Sequence, residues 1–184
     1  MASLGLFPDL ILRKFKNIAG NRYEEIAKAY REFLLTKEEL SIPNVNSILL
    51  PLDRYVKKVP EGVYEILSAY PHAEVEVVYV IDGEICRLIE ETIGKEEAKL
   101  FREREEETGR RLLESVGWAL SRLGLIGRTR LLFGSKSEVV EEISENFDLI
   151  VLSRHYGAET TKTHPVSTVV LRIMQNVSKP VILY

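Results

Sequence analysis

The 184-residue chain has a single cysteine, Cys86, and only three histidines. One cysteine excludes an intramolecular disulfide, and the chain has no Cys/His cluster of the kind that a structural zinc ion requires. The formal net charge is only -3, so no broad basic surface for nucleic acid is expected. No apolar run is long enough for a signal-peptide core or a membrane span, and we therefore expect a cytoplasmic protein.

Hydrophobic residues nevertheless make up 45% of the chain and charged residues 29%, which is typical of a globular protein with a real core. The length fits one domain with an appendage. Residues 1–43 have the apolar periodicity of two helices, and we expect them to form a helical hairpin extension. Its apolar stripes could pack on the domain or a second subunit, or lie at a membrane surface. The domain itself is expected at residues 46–184.

Within that domain, short apolar runs alternate with segments of helical periodicity. This alternation predicts an α/β fold in which helices cover both faces of a parallel sheet, with right-handed crossovers. Strands are predicted at residues 47–53, 74–81, 129–133, 148–153 and 180–184, and helices at 59–70, 94–123, 137–145 and 167–177.

Polar side chains follow several predicted strands. In an open α/β sheet the ligand crevice lies beyond the carboxyl ends of the strands, where Asp53, Asp82, Ser153 and the loop of residues 154–166 would meet. Asp53 could cap a helix, form a salt bridge or contact a ligand, and its position alone favours the cap and the ligand contact equally. We expect Asp82, Gly83 and Glu84 to form a turn rather than a magnesium site, and we predict no metal ligands or catalytic residues.

Four segments carry a resemblance to a known family. ILLPLD at 48–53, VVYVID at 77–82, FDLIVLS at 147–153 and STVVLRIMQNVSKPVILY at 167–184 resemble the universal stress proteins in order and spacing. The resemblance covers about residues 46–184. It implies a Rossmann-like, open five-stranded parallel sheet with the strand order 3-2-1-4-5.

ATP-binding members of that family have glycine, two residues, glycine, nine residues, glycine, and then serine or threonine. This chain keeps the spacing, but Arg154 and Ser167 stand at the first and third glycines, so the motif is degenerate. Arginine there could block a phosphate or grip it, while Ser167 could cap the last helix. The resemblance implies a nucleotide site formed by nine residues: Pro51, Leu52, Asp53, Val80, Arg154, Gly157, Ser167, Thr168 and Val169.

The resemblance also implies a function. The protein would be a regulatory or stress-response protein that binds ATP or AMP, with Mg²⁺ accompanying the nucleotide, and any ATP hydrolysis would be slow. It would form a homodimer through the edge strand Pro180–Tyr184, since an unpaired strand edge favours pairing with a second copy. The alternative is an interaction module that has lost its nucleotide and acts on a partner such as a membrane transporter.

Overall fold

The computed structural model describes residues 45–184, so the predicted hairpin at residues 1–43 lies outside the described residues. Five strands and five helices follow one another along the described part, with two successive helices between the second and third strands and one helix between every other pair of consecutive strands. The strands are β1 (Ser47–Leu52), β2 (Glu74–Asp82), β3 (Ile126–Gly134), β4 (Leu149–Leu152) and β5 (Val181–Leu183). The helices are α1 (Glu61–Ser68), α2 (Gly83–Thr92), α3 (Lys95–Arg122), α4 (Lys136–Ser144) and α5 (Thr168–Asn176).

All five strands are parallel and lie in the order β3-β2-β1-β4-β5, which confirms the predicted sheet. Strands β1 and β4 are central and almost completely buried, as their continuous apolar sequences require. The chain runs from β1 towards β3 and then returns towards β5. Crossovers between parallel strands are almost always right-handed, which places α1 and α3 on one face of the sheet and α4 and α5 on the other. In agreement, α4 and α5 contact each other, whereas α3 packs on β2 and β3.

The long charged segment before residue 113 is the solvated face of α3, as its composition suggests. Ion pairs between residues four apart follow one another along this face, including Arg102 with Glu106 at 3.0 Å and Arg111 with Glu107. The opposite face of α3 packs on β2 and β3 through Leu113, Val116 and Leu120. In residues 45–184, no helix is both long and apolar enough to cross a bilayer.

One local prediction is wrong. Asp82, Gly83 and Glu84 do not form an isolated turn, because α2 begins at Gly83 directly after β2. The Asp82 carboxylate accepts hydrogen bonds from the Glu84 and Ile85 backbone N–H groups at 3.0 and 3.1 Å and so caps this helix. Cys86 lies buried in α2, where burial is the main factor that raises the pKa of its thiol.

Candidate functional site

The carboxyl ends of β1, β2 and β4 bring Asp53, Asp82 and Ser153 to one edge of the sheet. Helices α4 and α5 begin at this edge, so their first backbone N–H groups also lie there. The strand order reverses between β1 and β4, because β1 leads to β2 on one side whereas β4 leads to β5 on the other. This is the position where open α/β sheets bind ligands.

Asp53 is fully buried at this edge, and other groups of the chain already use its carboxylate. Its Oδ2 lies 2.7 Å from Lys136 Nζ and accepts a hydrogen bond from the Gly157 backbone N–H at 2.8 Å. Its Oδ1 accepts a hydrogen bond from the Tyr55 backbone N–H at 3.0 Å. Asp53 therefore joins the ends of β1, α4 and the loop after β4.

Lys136, the first residue of α4, supplies the positive charge between these strands, and its side chain is only 4% exposed. Its Nζ also lies 3.7 Å from Asp82 Oδ2 and 4.5 Å from the centre of the Tyr55 ring. The Tyr156 hydroxyl donates a hydrogen bond to the Lys136 carbonyl oxygen at 3.1 Å. We call the five residues Asp53, Tyr55, Asp82, Lys136 and Tyr156 the Lys136 cluster.

Tyr156 is the buried phenol of this cluster. Burial is the main factor that raises the pKa of its hydroxyl well above the usual range, and the negative charges of Asp53 and Asp82 add to the effect. The phenol therefore stays protonated and keeps its hydrogen bond to Lys136. Sequence reasoning missed both Lys136 and Tyr156. Lys136 could have been found as the basic residue that follows β3 at the same edge as two strand-end carboxylates.

The loop after β4 has a fixed shape where it returns to α5. Gly157 has a φ of +88°, which side-chain-bearing residues rarely adopt, and a Cβ there would overlap the Val169 side chain. Ser167 caps α5, as predicted: its Oγ accepts a hydrogen bond from Val170 N–H at 3.1 Å and donates one to the Tyr156 carbonyl oxygen. The backbone N–H of Gly157 and the hydroxyl of Ser167 are thus both engaged within the protein.

The remaining predicted site residues fall into two groups. Pro51, Leu52 and Val80 are buried inside the sheet and line none of three cavities, of about 720, 440 and 270 Å³, that described residues bound. Thr168 is exposed at the start of α5, and with half-buried Val169 it lines a cavity of about 270 Å³. The structure does not bring either group together with Arg154, because Arg154 lines a different and larger cavity.

That larger cavity, of about 720 Å³, lies between the β1–α1 loop and the β4–α5 loop, and we call it the strand-end cavity. Four basic side chains and one carboxylate, Glu159, line it. Its lining also includes apolar side chains, and it includes Ser153, which directly follows β4. The complete lining is Arg54, Tyr55, Val56, Lys57, Lys58, Pro60, Ser153, Arg154, His155, Ala158, Glu159, Thr160 and Tyr184.

One of the four basic groups is partly neutralised. Arg54 Nε lies 3.9 Å from Glu105 Oε1, and Glu105 accepts a hydrogen bond from the buried Tyr79 hydroxyl at 3.3 Å. Among the described residues, no carboxylate comes within ion-pair distance of Lys57, Lys58 or Arg154. The cavity therefore has a locally positive lining in a chain whose net charge is negative.

Comparisons with known proteins identify the fold. No family model matches the chain, and no curated protein matches it. Solved structures do match: the hypothetical protein MJ0577 has a TM-score of 0.64 and 20% identity over 77% of this chain and 96% of that one. UspA of Lactobacillus plantarum, a universal stress protein, has a TM-score of 0.55 and 16% identity over 77% and 99%.

A universal stress protein family member from Burkholderia pseudomallei also matches, with a TM-score of 0.50 and 21% identity over 78% of this chain and 98% of its own. The described domain is thus an open, parallel α/β domain. Its fold is that of the universal stress proteins.

Proposed function

We propose that this protein is a regulatory, universal stress protein-like protein that binds an adenine nucleotide, ATP or AMP, in the strand-end cavity. The observation that carries the proposal is the convergence of Lys57, Lys58 and Arg154 on one cavity at the β1/β4 reversal. A cytoplasmic homodimer, paired through Pro180–Tyr184, completes the proposal, and Mg²⁺ would accompany the nucleotide.

Size and charge both support this choice of cavity. A volume of about 720 Å³ lies within the range of small-molecule sites. Basic side chains attract phosphate, and arginine can bind it through two parallel hydrogen bonds. Of the two roles that the sequence left open for Arg154, the proposal therefore takes the phosphate contact. Val56, Pro60 and Tyr184 supply apolar surface for the rest of the ligand.

The same cavity supports a binding role rather than catalysis. His155 is the histidine in its lining, and its Nδ1 lies 2.7 Å from Thr160 Oγ1. Ser153 Oγ accepts a hydrogen bond from the His155 backbone N–H at 3.2 Å, so the serine meets the backbone of this histidine instead of its ring. A serine nucleophile would need the ring as its base. We assign no catalytic residue.

Nucleotide content and ligand-dependent melting test this proposal. The purified full-length protein is denatured and the released nucleotide is identified, and the melting temperature is then measured with added ATP and Mg²⁺. A ligand at one hundred times its dissociation constant should add about 2.7 kcal/mol to the free energy of unfolding. Arg154→Gln should weaken the shift, whereas Arg172→Gln, which alters the smaller cavity, should leave it unchanged.

The alternative function is an interaction module without nucleotide, which acts on a partner such as a membrane transporter. The Lys136 cluster favours it, because the strand-end carboxylate that a ribose would need is already paired inside the protein. Absence of both copurified nucleotide and a melting shift would reject the nucleotide proposal and favour this alternative.

A further inference from the structure

We infer that the strand-end cavity recognises the phosphate chain of its ligand and not the ribose, so that its ligand class is polyphosphates, with or without a nucleoside attached. The inference rests on the proposed function, since it concerns the same cavity. It is carried by a separate observation, namely that Lys136 occupies the carboxylate on which ribose recognition at this edge would depend.

A ribose hydroxyl binds to a protein carboxylate by donating a hydrogen bond to it. Asp53 is the carboxylate at the end of β1, and it is fully buried. Both of its oxygens already accept hydrogen bonds, from Tyr55 N–H on one side and from Lys136 and Gly157 on the other. Three of the roughly four lone-pair positions of this carboxylate are therefore taken. Because Asp53 has no exposed surface, a ribose could reach its remaining position only if the residues around it moved.

One of the two tyrosine rings in the cavity lining, Tyr55, is also engaged. Tyr55 is a ring on which a base could stack, but its centre already lies 4.5 Å from Lys136 Nζ and 5.7 Å from the Arg54 guanidinium carbon. Pro51, Leu52 and Val80, which the resemblance includes in the nucleotide site, are buried and do not line this cavity. The Asp53 carboxylate and the Tyr55 ring, which could select an adenosine, are therefore already engaged, and the nucleoside would meet only the apolar surface of Val56, Pro60 and Tyr184.

The features that select phosphate remain open. Lys57, Lys58 and Arg154 are exposed and line the cavity, and none has an ion-pair partner among the described residues. Since each phosphate adds negative charge, the affinity should increase with the number of phosphates. The adenosine part should contribute little.

Calorimetry with four probes on the full-length protein tests the inference: ATP, inorganic triphosphate, AMP and adenosine, at one ionic strength. ATP and triphosphate should have dissociation constants within about threefold of each other, AMP should bind at least about tenfold more weakly, and adenosine should give no heat. Lys57→Gln with Lys58→Gln should weaken ATP and triphosphate by the same factor. Arg172→Gln, in the smaller cavity, is the matched control and should change neither.

The outcomes separate the inference from the proposed function. If ATP binds at least about tenfold more tightly than triphosphate and adenosine competes with it, the inference is wrong and the nucleotide proposal stands. If triphosphate binds and ATP does not, the phosphate site is supported and the nucleotide proposal fails. Binding of neither overturns both.

A second variant tests the role of Asp53 directly. Asp53→Asn removes the carboxylate charge and keeps the side-chain shape. If no ribose contacts Asp53, this variant changes the affinities for ATP and triphosphate by equal factors. A selective loss of ATP affinity in a folded variant would contradict the inference.

Discussion

At the scale of single residues, the Asp53–Lys136 pair combines two charges that are almost fully buried. Removal of one partner leaves the other charge uncompensated, at a cost of about 3–5 kcal/mol in the free energy of unfolding. We expect such losses for Lys136→Met and for Asp53→Asn, measured by urea unfolding.

The double variant should lose much less stability than the sum of the two single losses, because neither charge remains buried alone. Such coupling is the quantity that a double-mutant cycle measures. Additive losses would mean that the two groups do not stabilise each other. The control is the exposed pair of Arg172 and Glu138, in which Arg172 Nη2 lies 3.8 Å from Glu138 Oε1. The coupling energy of this pair should be less than about 1 kcal/mol.

Gly157 gives a second prediction at this scale. Gly157→Ala places a Cβ at a φ of +88° and against Val169, so it incurs both backbone strain and overlap. Gly124→Ala is the matched control, because its φ of +71° gives similar strain but no atom lies within 4 Å of the new Cβ. We expect Gly124→Ala to cost about 1–2 kcal/mol. Gly157→Ala should cost at least about 1 kcal/mol more in thermal unfolding.

Asp148 predicts a pH dependence. Its Oδ2 accepts hydrogen bonds from the backbone N–H of Asn46 at 2.9 Å and of Ser47 at 3.1 Å, and the bond from Asn46 is the main factor that lowers the pKa of this carboxyl. A lowered pKa means that the stabilisation is complete above the pKa of the unfolded chain, near 4, and is lost as the pH falls through the folded value.

Asp148→Asn should therefore be less stable than the wild type at pH 7, as measured by denaturant unfolding. The difference should shrink as the pH falls below about 4, since the wild-type carboxyl is then protonated as well. A difference that stays constant from pH 7 to pH 3 would contradict the assignment of this effect to the Asp148 charge.

The sequence predicted individual site residues unevenly. Asp53 and Arg154 are at the edge where strand ends were expected to meet, because a parallel sheet brings those ends together. Lys136 was not predicted, since it lies 83 positions from Asp53 and pairing over that separation depends on where α4 begins above the sheet. Whether Asp53 contacts a ligand could not be settled from its position alone.

At the scale of helices and strands, α3 packs closely on the sheet at Gly109. A Cβ at Gly109 would lie 2.6 Å from Tyr79 Cδ1 and 2.9 Å from Leu131 Cδ1, so the helix would have to move outwards. Gly109→Ala should lower the free energy of unfolding by about 1–3 kcal/mol. In Gly117→Ala the nearest atom is 3.5 Å away, so this control should gain about 0.5–1 kcal/mol from helix propensity. Equal effects would show that the close packing at Gly109 is unimportant.

Two elements show the limits of the sequence patterns. Strand β3 is four residues longer than predicted, because Gly127 and Arg128 interrupt the apolar pattern before residue 129. Arg128 and Arg130 instead pair with Glu74 and Glu76 on the neighbouring strand β2. Helix α2 was missed because an aspartate followed by glycine is typical of both turns and helix starts. In the structure, Cys86 is the residue of α2 that is buried.

At the scale of the whole molecule, the proposed homodimer depends on β5, which lies at an edge of the sheet. Its inner side bonds to β4 through Ile150 N–H to the Pro180 oxygen and Tyr184 N–H to the Leu152 oxygen. The outer side of an edge strand can pair with the same strand of a second copy around a two-fold axis. We expect light scattering to give the mass of a dimer for the full-length protein.

Leu183→Lys places a charge on this edge, a feature by which proteins prevent edge pairing, and should give a monomer. The matched control is Ile126→Lys, which adds the same charge at an exposed position on the opposite edge strand β3 and should remain dimeric. Dissociation by Ile126→Lys alone would assign the dimer to β3 instead. A monomeric wild-type protein would show that the β5 edge does not pair, and the regulatory role would then depend on the strand-end cavity within a single chain.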